Sequence, residues 1–253
     1  MRHFFVLLLT LAATAGGYSQ IKTETELQKP PPFAEALQIV VITPPDWNST
    51  KAPGAMFERA SLKSVWKRKG SDFEVVLGRN GSAWAIGSAP GSIKEFKKEG
   101  DGRSPAGIFP LRSAFGFAAK PESLTYPYLR IEESTECVDD PDSSHYNKIV
   151  DRFKAGNFDW KTSEKMREFV PEYELGIFVG YNSFPVRRSD GSCIFLHIWK
   201  DVATPTSGCI AMARSDLEQI VTWIDSKRTP YLVHLPIDAY NAFGEGYRLP
   251  KLK

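Results

Sequence analysis

The sequence is poor in the residues that build metal sites and cysteine frameworks. Its 253 residues hold three cysteines and four histidines, with no Cys-x-x-Cys and no His-x-x-x-His pair. Zinc sites built on short ligand spacings are therefore not expected. Charge of one sign is missing as well, because 32 Lys and Arg face 30 Asp and Glu, and the net +2 is spread along the chain. Without a concentrated basic field, nucleic acid is not an expected partner. No internal repeat occurs, and the one low-complexity tract is a short proline cluster. Long hydrophobic runs are missing too, except for one near the N-terminus that falls short of the roughly twenty residues of a membrane-anchoring helix.

That run belongs to "MRHFFVLLLTLAATAGGYSQ", with Arg2 ahead of an apolar stretch and small residues at Ala13 and Ala15. It reads as a secretory signal peptide over residues 1–19, removed on export. No cysteine follows the run to carry a lipid, so no anchor is expected after cleavage. Residues 20–36, polar and containing "KPPPF", read as a linker, which leaves 37–253 as one domain. With 42% hydrophobic and 12% aromatic residues, that length can bury one substantial core. Export also bears on Cys137, Cys193 and Cys209, since an odd number of thiols in an oxidising compartment leaves at least one unpaired.

Short runs rich in Val, Ile and aromatics, bounded by Gly, Pro, Asn or Asp, predict strands at 37–43, 73–78, 128–132, 175–182, 193–199 and 231–236. One helix is signalled by Ser215 and Glu218 in a capping-box arrangement, followed by Leu217, Ile220, Val221 and Ile224 at helical spacing. The fold class is therefore mainly β with a few helices (α+β). Residues 132–165 differ in texture, being acidic first and poor in aliphatics, and read as an inserted loop able to act as a lid, with Tyr146 and Trp160 as substrate contacts. Asp139, Asp140 and Asp142 lack the glycine and terminal glutamate of a helix-loop-helix calcium site, so a solvated acidic loop is expected there. His145, His197 and His234 are too far apart in sequence to suggest zinc.

The chemistry concentrates in "FLHIWKDVATPTSGCIAM", residues 195–212. Strand alternation puts Cys193, Phe195 and His197 on one face, and Ile194 and Leu196 on the other. After the strand comes loop chemistry, and Ser207 and Gly208 allow a tight bend at Cys209 that can aim backbone N–H groups at an oxyanion. A thiol is only a few per cent ionised at neutral pH, so a nucleophilic cysteine needs a base within reach. His197 can return to Cys209 through this loop, whereas Cys193 lies about 13 Å from it along one strand.

This stretch resembles the catalytic signature of the L,D-transpeptidase (YkuD-like) family, in which a histidine precedes a Ser/Thr-x-Gly-Cys turn, here Thr206-Ser207-Gly208-Cys209. The likeness extends to "KKEGDGRSPAGIFPLRSAFGF" (97–117) and "YLVHLP" (231–236) and covers roughly residues 75–236. Ile198 stands where many members have Gly, and Ala211 where many have Arg. The resemblance implies a β-sandwich or barrel domain and an exported acyltransferase, periplasmic or wall-associated in a bacterium, acting on peptidoglycan stem peptides without metal or other cofactor. It implies Cys209 as nucleophile, His197 as base, the Gly208 and Cys209 N–H groups as oxyanion donors, and Thr206 and Ser207 as substrate contacts. Arg103, a cation flanked by Gly and Pro in "GDGRSP", is expected on an exposed turn where it can hold a stem carboxylate. Alternatives are an L,D-carboxypeptidase or another cysteine amidase or peptidase of the wall, and a wall-binding module without activity.

Overall fold

The computed structural model describes residues 33–86, 88 and 96–252. The expected signal peptide (1–19) and residues 20–32 of the expected linker lie outside them. The linker reading fails at its last residues: Phe33 is buried against Tyr231 and Tyr247, and the Arg59 guanidinium holds the carbonyls of Ala34 and Ala36. Chain that packs an aromatic and anchors a guanidinium belongs to the domain.

The elements run β1 (Gln38–Ile42), β2 (Lys51–Glu58), β3 (Lys67–Val76), β4 (Ser82–Trp84), β5 (Ser104–Gly116), β6 (Tyr128–Arg130), β7 (Thr135–Val138), β8 (Ile149–Asp151), β9 (Ser163–Lys165), β10 (Leu175–Val179), β11 (Phe195–Ile198), β12 (Ile210–Met212), α1 (Arg214–Trp223), β13 (Pro230–His234) and α2 (Ile237–Tyr247). The large sheet has the order β10-β11-β12-β3-β2-β1-β13-β5, and β5 also pairs with β10, so the strands close into a barrel with β4 and β6 attached to β5. Closure removes the open edges that an isolated sheet would present. The fold class is the mainly β, barrel-type arrangement expected.

β1 shows how the sequence specifies the layers. Its five residues are all buried because both faces are covered: Val40 and Ile42 enter the barrel interior, while Ile39 and Val41 join an outer cluster with Phe33, Trp84 and Tyr240. Helix α1 packs Leu217, Ile220 and Val221 into the barrel core, at the spacing expected. Its start differs from the expected capping box. Ala213 is the N-cap, its carbonyl accepting the N–H of Asp216 and Leu217, so Ser215 and Glu218 already lie inside the helix.

β2 and β5 were not predicted as strands, since each carries proline and glycine in its interior. In the structure Pro53 and Pro110 keep regular partners in Glu74 and Tyr231, and the glycines make room for aromatic rings, since a Cβ on Gly54 would strike Phe73 and one on Gly107 would strike Phe109. Helix α2 was missed for a related reason, because Gly244 and Gly246 lower its propensity. Its Tyr240, Phe243 and Tyr247 nevertheless recur at helical spacing.

Residues 132–165 form a second sheet of three strands in the order β8-β7-β9. Glu136 is its hub, taking the Arg152 guanidinium, the Trp160 indole N–H (2.8 Å) and the Ser163 hydroxyl (2.7 Å). Burial pushes the Glu136 carboxyl up, but these donors win and hold it below the usual carboxylate range. Trp160 and Tyr146 are therefore structural: both are buried, and the Tyr146 hydroxyl bonds Glu99 and accepts the Gly191 N–H. Of the acidic triplet, Asp140 caps its own turn by accepting the N–H groups of Asp142 and Lys161. A disulfide from Cys137 to Cys193 ties this sheet to the segment entering β11.

Candidate active site

Strands β11 and β12 run parallel, with Leu196 opposite Ile210 and His197 opposite Ala211. Paired residues share a face, so Phe195 and His197 stand on the same side as Cys209 and Ala211. Ile194, Leu196 and Ile198 point into the barrel core. Phe195 and Cys209 pack in a third cluster with Phe115, Tyr173 and the Cys137–Cys193 bridge. The alternation read from the sequence holds, although Cys193 itself lies before the strand at φ +52°.

The turn before Cys209 is fixed by hydroxyls. Loop residue Thr206 runs beside Gly78 at the end of β3, its N–H on the Leu77 carbonyl and its carbonyl accepting the Arg79 N–H. The Thr206 hydroxyl donates to the Cys209 carbonyl (2.6 Å), and Ser104 from β5 donates to the same carbonyl (3.0 Å). Gly208 adopts φ +149°, and a Cβ there would come 3.1 Å from the Arg103 carbonyl oxygen. Only glycine fits such a conformation and such an approach.

The Cys209 thiol donates to the Cys193 carbonyl and accepts the Phe195 N–H, each at 3.3 Å. Burial pushes its pKa well up, and the Glu164 carboxylate adds to this, outweighing the Phe195 N–H and Lys97. His197 is held by Nδ1, which donates to the Ile198 carbonyl at 2.7 Å, so Nε2 is the free acceptor. Its ring meets Tyr173 edge-on with centroids 5.4 Å apart. Burial lowers the His197 pKa to about 4, against the opposing pull of the Ile198 carbonyl and Glu172. Burial thus favours the neutral form of both thiol and imidazole.

Cys209 and His197 line one cleft of about 500 Å³. Its far wall comes from elements the sequence reading did not connect to the site. The inserted sheet supplies Asp139 and Glu164, and the turn before β10 supplies Glu172 and Tyr173. The Tyr173 hydroxyl donates to Glu164 (2.7 Å), and Tyr173 shares a packed cluster with Cys209. Burial, reinforced by Asp139 and Glu99, raises Glu164 to about 7 despite the Tyr173 bond. Asp139 was noted only for calcium, and nothing in the spacing of the others signals that they converge.

A profile of the YkuD L,D-transpeptidase catalytic domain matches residues 59–233, more than half of the chain. The chain belongs to that family. No curated protein and no solved structure matches it. The domain's activity is of the L,D-transpeptidase type on peptidoglycan, which places the protein in a cell-wall context. No helix of the described residues is long and apolar enough to cross a membrane.

Within this L,D-transpeptidase domain the expected site residues are distributed unevenly. Cys209, His197, Thr206, Ser207 and Gly208 all line the cleft. Arg103 does not: its guanidinium donates to the Ser82 carbonyl (3.0 Å), and its contribution is the backbone carbonyl behind Gly208. Arg79 is the guanidinium that lines the cleft, and it forms no ion pair among the described residues. The oxyanion expectation also changes, because the Gly208 N–H is already given to the Thr206 hydroxyl at 3.1 Å. The Cys209 N–H has no acceptor among the described residues. Ala211, opposite His197, supplies no cation.

Proposed function

We propose that this protein is an exported, cysteine-dependent acyltransferase that forms cross-links between peptidoglycan stem peptides. The observation that carries the reading is the arrangement at Cys209: the one unpaired thiol sits in the cleft beside an N–H without an acceptor and in the same cleft as a histidine whose Nε2 is free. In the first half-reaction Sγ of Cys209 bonds to the carbonyl carbon between the third stem residue and its D-alanine. His197 Nε2 takes the thiol proton as the C–S bond forms and returns it to the departing amine. The Cys209 N–H stabilises the oxyanion, and the Thr206 and Ser104 hydroxyls hold the following peptide unit through the Cys209 carbonyl, which fixes the residue that carries this N–H. The amine of a second stem then attacks the thioester, His197 takes its proton, and the thiolate leaves. Exchange of amide for amide needs no nucleotide, which suits work outside the cell.

Mass spectrometry of products from disaccharide-tetrapeptide substrate tests this. The expected result is a cross-linked dimer with loss of D-alanine from wild type, and no product from Cys209→Ala or His197→Ala proteins that remain folded. Release of D-alanine without dimer would make the enzyme an L,D-carboxypeptidase. Unchanged turnover by Cys209→Ala would refute the nucleophile.

A further inference from the structure

We propose that the acidic wall of the cleft holds a primary ammonium group of the peptide substrate, with Glu164 as its principal contact. The inference rests on the stem-peptide reading and adds to it the chemical group that the enzyme selects.

Four carboxylates line the cleft: Glu99, Asp139, Glu164 and Glu172. Their partners are uneven. Glu172 pairs with Lys200 at 3.3 Å, and the buried Lys97 is spent on Asp101 and the Lys98 carbonyl. No lysine or arginine pairs with Glu99, Asp139 or Glu164 among the described residues. Two of them take hydroxyls instead: Tyr146 and Ser192 serve Glu99, and Tyr173 serves Glu164. The three are close enough that each of Glu99 and Asp139 raises the pKa of Glu164. Arg79, Lys97 and Lys200 line the same cleft, but Lys97 and Lys200 are paired elsewhere and Arg79 forms no ion pair, so Glu99, Asp139 and Glu164 have no cation as partner among the described residues.

Two orphaned acceptors point the same way. Glu172, only 9% exposed, has Oε2 buried without a hydrogen-bond donor, and Asp139 has Oδ1 in the same condition. Oε1 of Glu164 also takes no hydrogen bond among the described residues. Buried acceptors without donors cost stability, and a ligand that brings donors recovers it. Among the described residues no three His, Cys, Asp or Glu side chains converge closely enough to hold a metal ion. A primary ammonium, with three donors and one charge, needs only one or two of these oxygens at a time.

Glu164 is the member placed to act on substrate. It lies opposite Cys137 in the β7–β9 pair, and Cys137 is bonded to Cys193, whose carbonyl accepts the Cys209 thiol. Disulfide, strand register and Tyr173 together set this carboxylate beside the nucleophile, so it acts as a specificity residue supplied by the insertion.

The ammonium can come from the side chain of the donor's third residue or from the acceptor amine, and two measurements separate them. In the first, calorimetry on Cys209→Ala protein compares an N-acetylated lysyl-D-alanine peptide with its Nε-acetyl twin. A donor-side contact predicts about tenfold or more tighter binding of the free amine. Glu164→Gln should remove that preference while leaving the affinity of the acetylated twin unchanged, and Glu164→Asp should restore part of it. In the second, the share of acyl-enzyme captured by added D-alaninamide rather than water is measured with the acetylated donor. An acceptor-side contact predicts a several-fold lower share in Glu164→Gln. Equal affinity of the twins together with an unchanged aminolysis share would overturn the inference, as would an amine preference that survives Glu164→Gln. Failure of the stem-peptide reading shows separately, as absence of any acyl adduct on Cys209 of wild type with either peptide, because the calorimetry requires no turnover.

Discussion

Stability against pH sets the buried histidines against Glu164. His197 and His234 are enclosed, and burial lowers each to a pKa of about 4 from the usual 6.5. Between those values the unfolded chain holds the extra proton. Each histidine therefore supports the fold fully above about pH 6.5, and that support is lost as pH falls toward 4. A shift of this size is worth about 3 kcal/mol per histidine. Glu164 runs the other way, since its folded pKa of about 7 exceeds the ordinary 4.5. Its contribution is full below about pH 4.5 and is lost as pH rises through 7. Around pH 5 to 6 the unfolded chain thus carries two extra protons on histidines and the folded chain one on Glu164. The difference of one proton gives a stability that rises by about 1.4 kcal/mol per pH unit. Glu164→Gln removes the opposing group, and the slope should approach about 2.7 kcal/mol per pH unit. Asp139, also raised by burial, acts in the same direction as Glu164 in both proteins and cancels in the comparison. Carboxyls held low by hydrogen bonds, Asp159 above all, exchange their protons at lower pH and stay outside this window. Urea unfolding of both proteins near pH 5 and pH 6 is the assay. Equal slopes, or a wild type whose stability does not rise with pH, would refute the reasoning.

Replacing Cys137 and Cys193 together by serine opens a link between residues 56 apart in sequence and should cost about 4 kcal/mol of stability. Turnover should fall as well, since Glu164 and the Cys193 carbonyl are both held by that link; denaturant unfolding and steady-state kinetics of the oxidised and double-serine proteins check both effects. Gly208→Ala forces a side chain into φ +149° and toward the Arg103 carbonyl, at a cost of about 1–3 kcal/mol. Its kcat should drop more than tenfold while the fold survives (a loss of about 1.4 kcal/mol or more in transition-state stabilisation), read by turnover alongside thermal unfolding; unchanged kcat would mean that the turn does not set the Cys209 N–H.

That His197 and Cys209 line one cleft was legible because the geometry is local. His197 lies on β11 and Cys209 directly before the parallel β12, joined by one loop, so alternation and a small-residue turn suffice to bring them to one face. The strands with dense Val, Ile and aromatic content were legible for the same reason, since their pattern of burial is written residue by residue. β2 and β5 were hidden because their prolines and glycines are breakers in isolation, and what makes them acceptable lies on neighbouring strands: Pro53 and Pro110 pair with Glu74 and Tyr231, and Gly54 leaves room for the Phe73 ring. Arg103 shows the limit for single residues: a cation beside glycine and proline suggests an exposed contact, yet the carbonyl of Ser82 claims it, and that carbonyl is 21 residues away in sequence.

What the sequence determined by itself was the class of fold, the odd thiol and the tight turn before Cys209, all of which depend on neighbours within a few positions. What only the tertiary structure decided was which thiol stays free, which N–H remains available and which carboxylates line the cleft with that thiol. Asp139, Glu164, Glu172 and Glu99 are scattered over 74 positions of chain, and they become one wall only when the three-stranded sheet is bonded to β11 through Cys137 and Cys193. Their electrostatics follow from that proximity and from burial, neither of which has any periodic trace in the order of residues.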